Sequence, residues 1–91
     1  MEFLWDESKC RSNLRKHGLD FRDAPGVFEG DTITFLDDRE DYGEERYISL
    51  GLLKDIVVVI VHAEDADTIR IISMRKATHY EKNIFIDQVG N

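Results

Sequence analysis

The sequence predicts an α+β domain: a single antiparallel β-sheet of about four strands, with two N-terminal helices and one C-terminal helix. Three observations predict it. Helical periodicity and capping residues fill the first thirty positions, four β-rich runs then follow as a block, and an amphipathic run closes the chain. The connections Lys54-Asp55 and Glu64 to Asp67 are too short for a crossover, so the strands they join run antiparallel.

Phe3-Leu4-Trp5 is a short apolar segment that reads as an edge strand or as an anchor on the core. Asp6 is placed to cap a helix over Glu7 to His17, with Cys10, Leu14 and His17 on one stripe. Arg15, Lys16 and His17 suit the negative end of its dipole, and Gly18 is the expected C′ residue. A second helix over Phe21 to Phe28, capped by Asp20, turns Phe21, Ala24, Val27 and Phe28 inward. Pro25 is tolerated there only if the helix starts near Asp23, because a proline further inside removes a backbone donor.

Thr32 to Leu36 alternates as a strand should, and an acidic loop around Tyr42-Gly43 follows it. Arg46 to Leu53 is the second long strand. Ile56 to Ala63 is apolar at every position but His62, so it is central and covered on both faces. In the last strand, Asp67-Thr-Ile-Arg-Ile-Ile-Ser-Met-Arg-Lys-Ala-Thr78, strict alternation puts Ile69, Ile71, Ser73 and Arg75 on one face. Arg70, Ile72, Met74 and Lys76 fall on the other. The final helix, Ala77 to Val89, turns Tyr80, Ile84, Phe85 and Val89 inward.

Ninety-one residues make one domain, 1–91, with a modest core. Charge within the first six positions argues against a signal peptide, and the longest apolar run, Ile56 to Val61, is too short to span a bilayer. A single cysteine, Cys10, has no internal disulfide partner, which suits a reducing cytoplasm. Its helical spacing from Leu14 suits a buried apolar role. No Gly-rich phosphate loop, Ser/His/Asp set or metal-ligand pattern is present, so neither a metal nor any other cofactor is expected. The net charge of −7 runs against nucleic-acid binding, yet it is unevenly spread. Residues 37–46 and 64–67 are acidic, whereas Lys9, Arg11, Arg15, Lys16 and Arg70, Arg75, Lys76, Lys82 form two basic clusters.

The second of these clusters sits at a strand-to-helix junction, where unpaired cations need solvent or an anion. Arginine forks match phosphate oxygens, and cations there stabilise the charge that develops as a ribose 2′-hydroxyl attacks its own phosphate. Such RNA cleavage needs a base, an acid and charge stabilisation, without a cofactor. His62, at the end of the central strand, stands across a tight turn from Arg70 and is the expected proton carrier; a lysine or a carboxylate is the alternative.

Trp5-Asp-Glu-Ser-Lys9, Asn13-Leu-Arg-Lys-His-Gly18, Phe21 and Ala24 to Phe28 resemble the opening of the BrnT family of bacterial toxins. Gly43-Glu44, Arg46, Gly51, the run Arg70 to Thr78 and Glu81 resemble the remainder. Met74, where a small alanine is commoner, and Pro25 depart from that pattern. The resemblance implies a RelE-like ribonuclease fold and a toxin that inhibits translation by cutting RNA without a metal. It also implies a BrnA-type antitoxin partner, through whose DNA-binding domain the complex would hold its operator. Arg70, Ser73, Arg75 and Lys76 lie inside the matching motif, and Arg46 is supported by the adjacent Gly-Glu. Arg70, Arg75 and Lys76 are expected to act with His62 in catalysis, and Arg46 and Ser73 to hold substrate. A non-catalytic subunit of an antitoxin–repressor complex is the competing expectation, favoured by the net acidity.

Overall fold

The computed structural model describes residues 1–90. Its elements in chain order are β1 (Glu2–Leu4), α1 (Glu7–His17), a 3-10 turn (Phe21–Asp23), α2 (Ala24–Glu29), β2 (Thr32–Asp37), β3 (Arg46–Leu53), β4 (Ile56–Asp65), β5 (Thr68–Lys76) and α3 (His79–Val89). The strands form one five-stranded sheet in the order β1-β5-β4-β3-β2. β2 to β5 are the expected antiparallel meander. β1 joins β5 in parallel, with Phe3 opposite Ile69, so the sheet is mixed and has one strand more than expected. Three residues carry too little periodicity to reveal a strand direction, which here is set by the crossover through α1 and α2.

Asp6 caps α1 by accepting from the backbone N–H of Ser8 and Lys9, and Gly18 closes it at φ 73°. The buried stripe of α1 is Cys10 and Asn13, while Leu14 is 44 % exposed, a correction to the expected apolar stripe. Asn13 takes the place of a neighbouring strand. Its amide donates to the Met74 carbonyl at 2.8 Å and accepts from the Met74 N–H at 3.1 Å, which closes the outer edge of β5 beyond the reach of β1.

The second helix is split. A 3-10 turn carries Phe21, and α2 starts only at Ala24, so Pro25 falls in its first turn, where no intrahelical donor is lost. Gly51 of β3 lies under α2: a Cβ there would stand 2.6 Å from the Val27 side chain, so the close approach of helix and sheet requires glycine.

The sheet has two faces. Cys10, Phe21, Ala24 and Val27 pack with Val58, Ile60, Ile69, Ile71 and Met74 under α1 and α2. On the opposite face Phe85 of α3 packs with Leu50, Val57 and Val59. This helix covers only one end of that face. It begins at a reciprocal capping box between Thr78 and Glu81, and its Tyr80, expected inward, is 75 % exposed.

Candidate functional site: an arginine pair on the open sheet face

The placement of the cations depends on one irregularity. β4 and β5 pair in register from Val58↔Lys76 to Val61↔Ser73, and resume with His62↔Ile71, so Ile72 is an extra residue, a β-bulge. The bulge reverses the alternation of β5. Ile69, Ile71 and Met74 therefore all point into the core beneath α1, whereas Arg70, Ser73 and Arg75 share the face on which α3 packs. Lys76, opposite Val58, falls on the other side. Strict alternation put Arg70 and Arg75 on opposite faces; the bulge brings them to one.

The same register separates His62 from Arg70. His62 pairs with Ile71 and Arg70 with Ala63, so their backbones are adjacent while their side chains leave opposite faces of the sheet. The expected neighbourhood of His62 and Arg70 is thus corrected. The His62 ring is fully buried, stacked on Tyr47 at 5.9 Å and meeting the edge of Phe28 at 5.1 Å. Its Nε2 shares a 2.8 Å hydrogen bond with Ser49 Oγ, which in turn bonds Thr34 Oγ1 at 2.8 Å. Nδ1 has no hydrogen-bond partner, although a Glu64 carboxylate oxygen lies 3.3 Å away. Burial pushes the His62 pKa down to about 4, so the ring is neutral at pH 7.

On the open face, alternation along β3 aligns Arg46 with Ile48 and Leu50, and it stands one step beyond the Tyr47↔His62 pair, where the continued register points to Ala63. Arg46 and Arg70 therefore flank the small Ala63 side chain. Both guanidinium groups meet one oxygen, Oε2 of Glu44: Arg46 Nε donates to it at 3.3 Å, and Arg70 Nη2 donates from the other side. Arg70 is the main cause that holds the Glu44 carboxyl below its ordinary range, followed by Arg46. Tyr42 stacks on the Arg46 guanidinium, with its ring centre 4.3 Å from Cζ. The turn that presents Glu44 has Gly43 at φ 75°, its N–H donating to Asp41. Beside the pair is an open cleft of about 330 Å³ lined by Leu4, Ala63, Thr68, Arg70, Glu44 and the acids Glu64 and Asp65.

Arg75 is bound differently. Its Nη1 and Nη2 donate to both oxygens of Glu81 at 2.8 and 2.9 Å, and Glu81 Oε1 also accepts from the Thr78 N–H at 2.8 Å. The Arg75 fork is the first cause that pulls the Glu81 pKa down to about 2. Two parallel bonds tied into a helix cap fix this pair, whereas the Glu44 contacts are single and lie at an exposed loop, where water screens them. The open face thus holds an exchangeable arginine pair, Arg46 and Arg70, and a fixed one, Arg75 with Glu81. Ser73 lies between Arg70 and Arg75 on the same face; His62 and Lys76 do not join them.

Sequence reasoning missed Glu44 and Tyr42 as members of the site. For Glu44 the available clues were its place in the matching Gly43-Glu44 pair and the spacing Glu44-x-Arg46, which puts an acid two residues before a strand cation. Among the described residues, no three His, Cys, Asp or Glu side chains are grouped to share a metal ion, and no helix is long and apolar enough to cross a membrane. The family model described as the ribonuclease toxin BrnT of type II toxin–antitoxin systems matches residues 5–81. No curated protein matches the chain.

Proposed function

Given that this chain belongs to the BrnT family of type II toxin–antitoxin ribonuclease toxins, we propose that it is a metal-independent endoribonuclease whose phosphate-binding pair is Arg46 and Arg70. The observation that carries this reading is the convergence of two guanidinium groups on a single carboxylate oxygen at an open sheet face. Glu44 occupies the position of an anion, and a phosphodiester offers the same two arginines more oxygens and better fork geometry. Exchange is cheap because the Glu44 contacts are exposed.

In this reading the RNA backbone lies across Ala63, and Arg46 and Arg70 neutralise the charge that builds on the phosphorus oxygens as the 2′-hydroxyl attacks. The P–O5′ bond breaks as the 2′-oxygen bonds phosphorus, leaving a 2′,3′-cyclic phosphate, and the departing 5′-oxygen takes its proton from water. Glu44, released from the pair but tethered beside it, is an ionised carboxylate placed to accept the 2′-hydroxyl proton. Ser73 contributes a hydroxyl to the same surface, and Arg75 positions the start of α3 through Glu81. His62 packs the core and takes no part in proton transfer, and Lys76 contributes charge from the other side of the sheet. The antiparallel meander followed by a closing helix supports a RelE-like fold. The chain acts in the cytoplasm as a single toxin domain, held by a BrnA-type antitoxin, and reaches operator DNA only through that partner.

A second reading has its own observation. Every arginine on the open face already has a carboxylate partner, as a purely scaffolding subunit of a repressor complex would allow. Partner-free protein incubated with total RNA in EDTA separates the two. We expect discrete cleavage fragments that persist in the chelator and growth arrest when the chain is expressed alone. Intact RNA together with normal growth would favour the scaffold.

A further inference from the structure

The two edges of the sheet are treated differently. On the β5 side, β1 pairs with residues 68–70, and the Asn13 amide closes the edge at Met74. On the other side β2 pairs only with β3, and among the described residues no backbone hydrogen bond outside that ladder reaches residues 32–37. Those six residues contain no proline and no lysine, the usual guards of an exposed edge. They also expose Phe35 at 46 % and Leu36 at 52 %. Directly after them comes the run Asp37 to Glu45, with six acids against the single Arg39, which is tied to Asp37 by two bonds of 2.7 Å.

We propose that β2 is the docking edge for the antitoxin, which adds an extended segment of alternating apolar and basic residues as a sixth strand. This rests on the reading of the chain as a toxin with a protein partner. Main-chain hydrogen bonds to β2 supply pairing, Phe35 and Leu36 supply apolar contact, and the acidic run selects a cationic segment. Charge also decides against a second copy of this chain. Antiparallel pairing of two β2 edges would bring Asp31 of one molecule near the acidic run that begins at Asp37 of the other, between molecules that each carry −7. Because β2 lies at the opposite end of the sheet from the β5 edge, docking there leaves α1 uncovered and brings the partner beside the loop that carries Glu44. One partner thereby holds the edge and restrains the site.

The test is hydrogen–deuterium exchange on the chain alone and on its complex with the antitoxin co-purified from cells expressing both. Amides within residues 32–37 should become protected in the complex. The triple variant Leu36→Lys, Asp38→Lys, Glu40→Lys should bind the antitoxin at least about tenfold more weakly, with RNA cleavage by the isolated chain not reduced. Unchanged exchange across 32–37 in the wild-type complex would overturn the proposal. So would equal protection in the chain alone that grows with its concentration, the mark of self-pairing. Loss of RNA cleavage in the isolated wild-type chain would count against the ribonuclease reading and leave the exchange result standing.

Discussion

Arg70→Ala in partner-free protein is expected to lower RNA cleavage by at least about 100-fold, the effect of removing one preorganised donor from a developing oxyanion. Folding should be little affected. The Arg70 side chain is 47 % exposed and, among the described residues, its side-chain hydrogen bond goes to Glu44, so its loss should move the melting temperature by no more than about 2 °C. Arg46→Ala should behave similarly, with an additional loss from its stacking on Tyr42. Arg75→Ala should give the reverse pattern. It leaves Glu81 without its fork and loosens the start of α3, so stability falls more than the affinity for RNA. Cleavage rates measured beside melting curves for the three variants distinguish a phosphate-binding pair from a general loss of positive charge, which would lower all three alike.

The second large effect concerns pH. His62 has a folded pKa of about 4, below its ordinary value of 6.5, so the unfolded chain takes up the proton first as pH falls. Its contribution to stability is therefore complete above pH 6.5 and is lost as pH drops from 6.5 through 4, about 2 kcal/mol of it by pH 5. The Glu64 carboxylate at 3.3 Å limits the loss, since it can accept from a protonated ring. Carboxylates behave differently: Glu81, lowered to about 2, gives up its contribution only below its ordinary 4.5. The window from pH 6.5 to 5 thus isolates the histidine. Denaturant unfolding of wild type should show stability falling across that window, and His62→Phe, which keeps an aromatic ring against Tyr47 and Phe28, should flatten it. A slope that survives His62→Phe assigns the pH dependence to other groups.

Much of the fold is legible in the residues because local chemistry and global shape agree. Asp6 and Gly18 mark the ends of α1, and the predicted bounds of β3 match the observed ones, whereas the Thr78/Glu81 box went unread and the last helix starts at His79 instead of Ala77. The site was less legible, for reasons that can be named. Ile72 is an ordinary β-branched residue, and nothing in it announces a bulge; yet that one insertion decides which face Arg75 takes. Alternation also hid the separation of His62 from Arg70, because nearness along a hairpin says nothing about facing unless the pairing register is known. The carboxylates were unreadable for a third reason. Glu44 lies in an acidic loop, where six carboxylates look equivalent until the turn at Gly43 directs one of them to Arg46 and Arg70. Net acidity and a cationic face are therefore compatible, since the acids that lower the total charge also hold the arginines in place.

The central claim is that Arg46 and Arg70, and not Arg75, receive the RNA backbone. The most direct measurement follows arginine side-chain Nε–H resonances by NMR while a short 2′-O-methyl RNA, which cannot be cut at the 2′ position, is added in EDTA. The Arg46 and Arg70 signals should shift together and saturate, with affinity falling as salt rises, while the Arg75 signal stays where Glu81 holds it. Arg46 and Arg70 signals that do not move at any RNA concentration, or an Arg75 signal that moves in their stead, would contradict it.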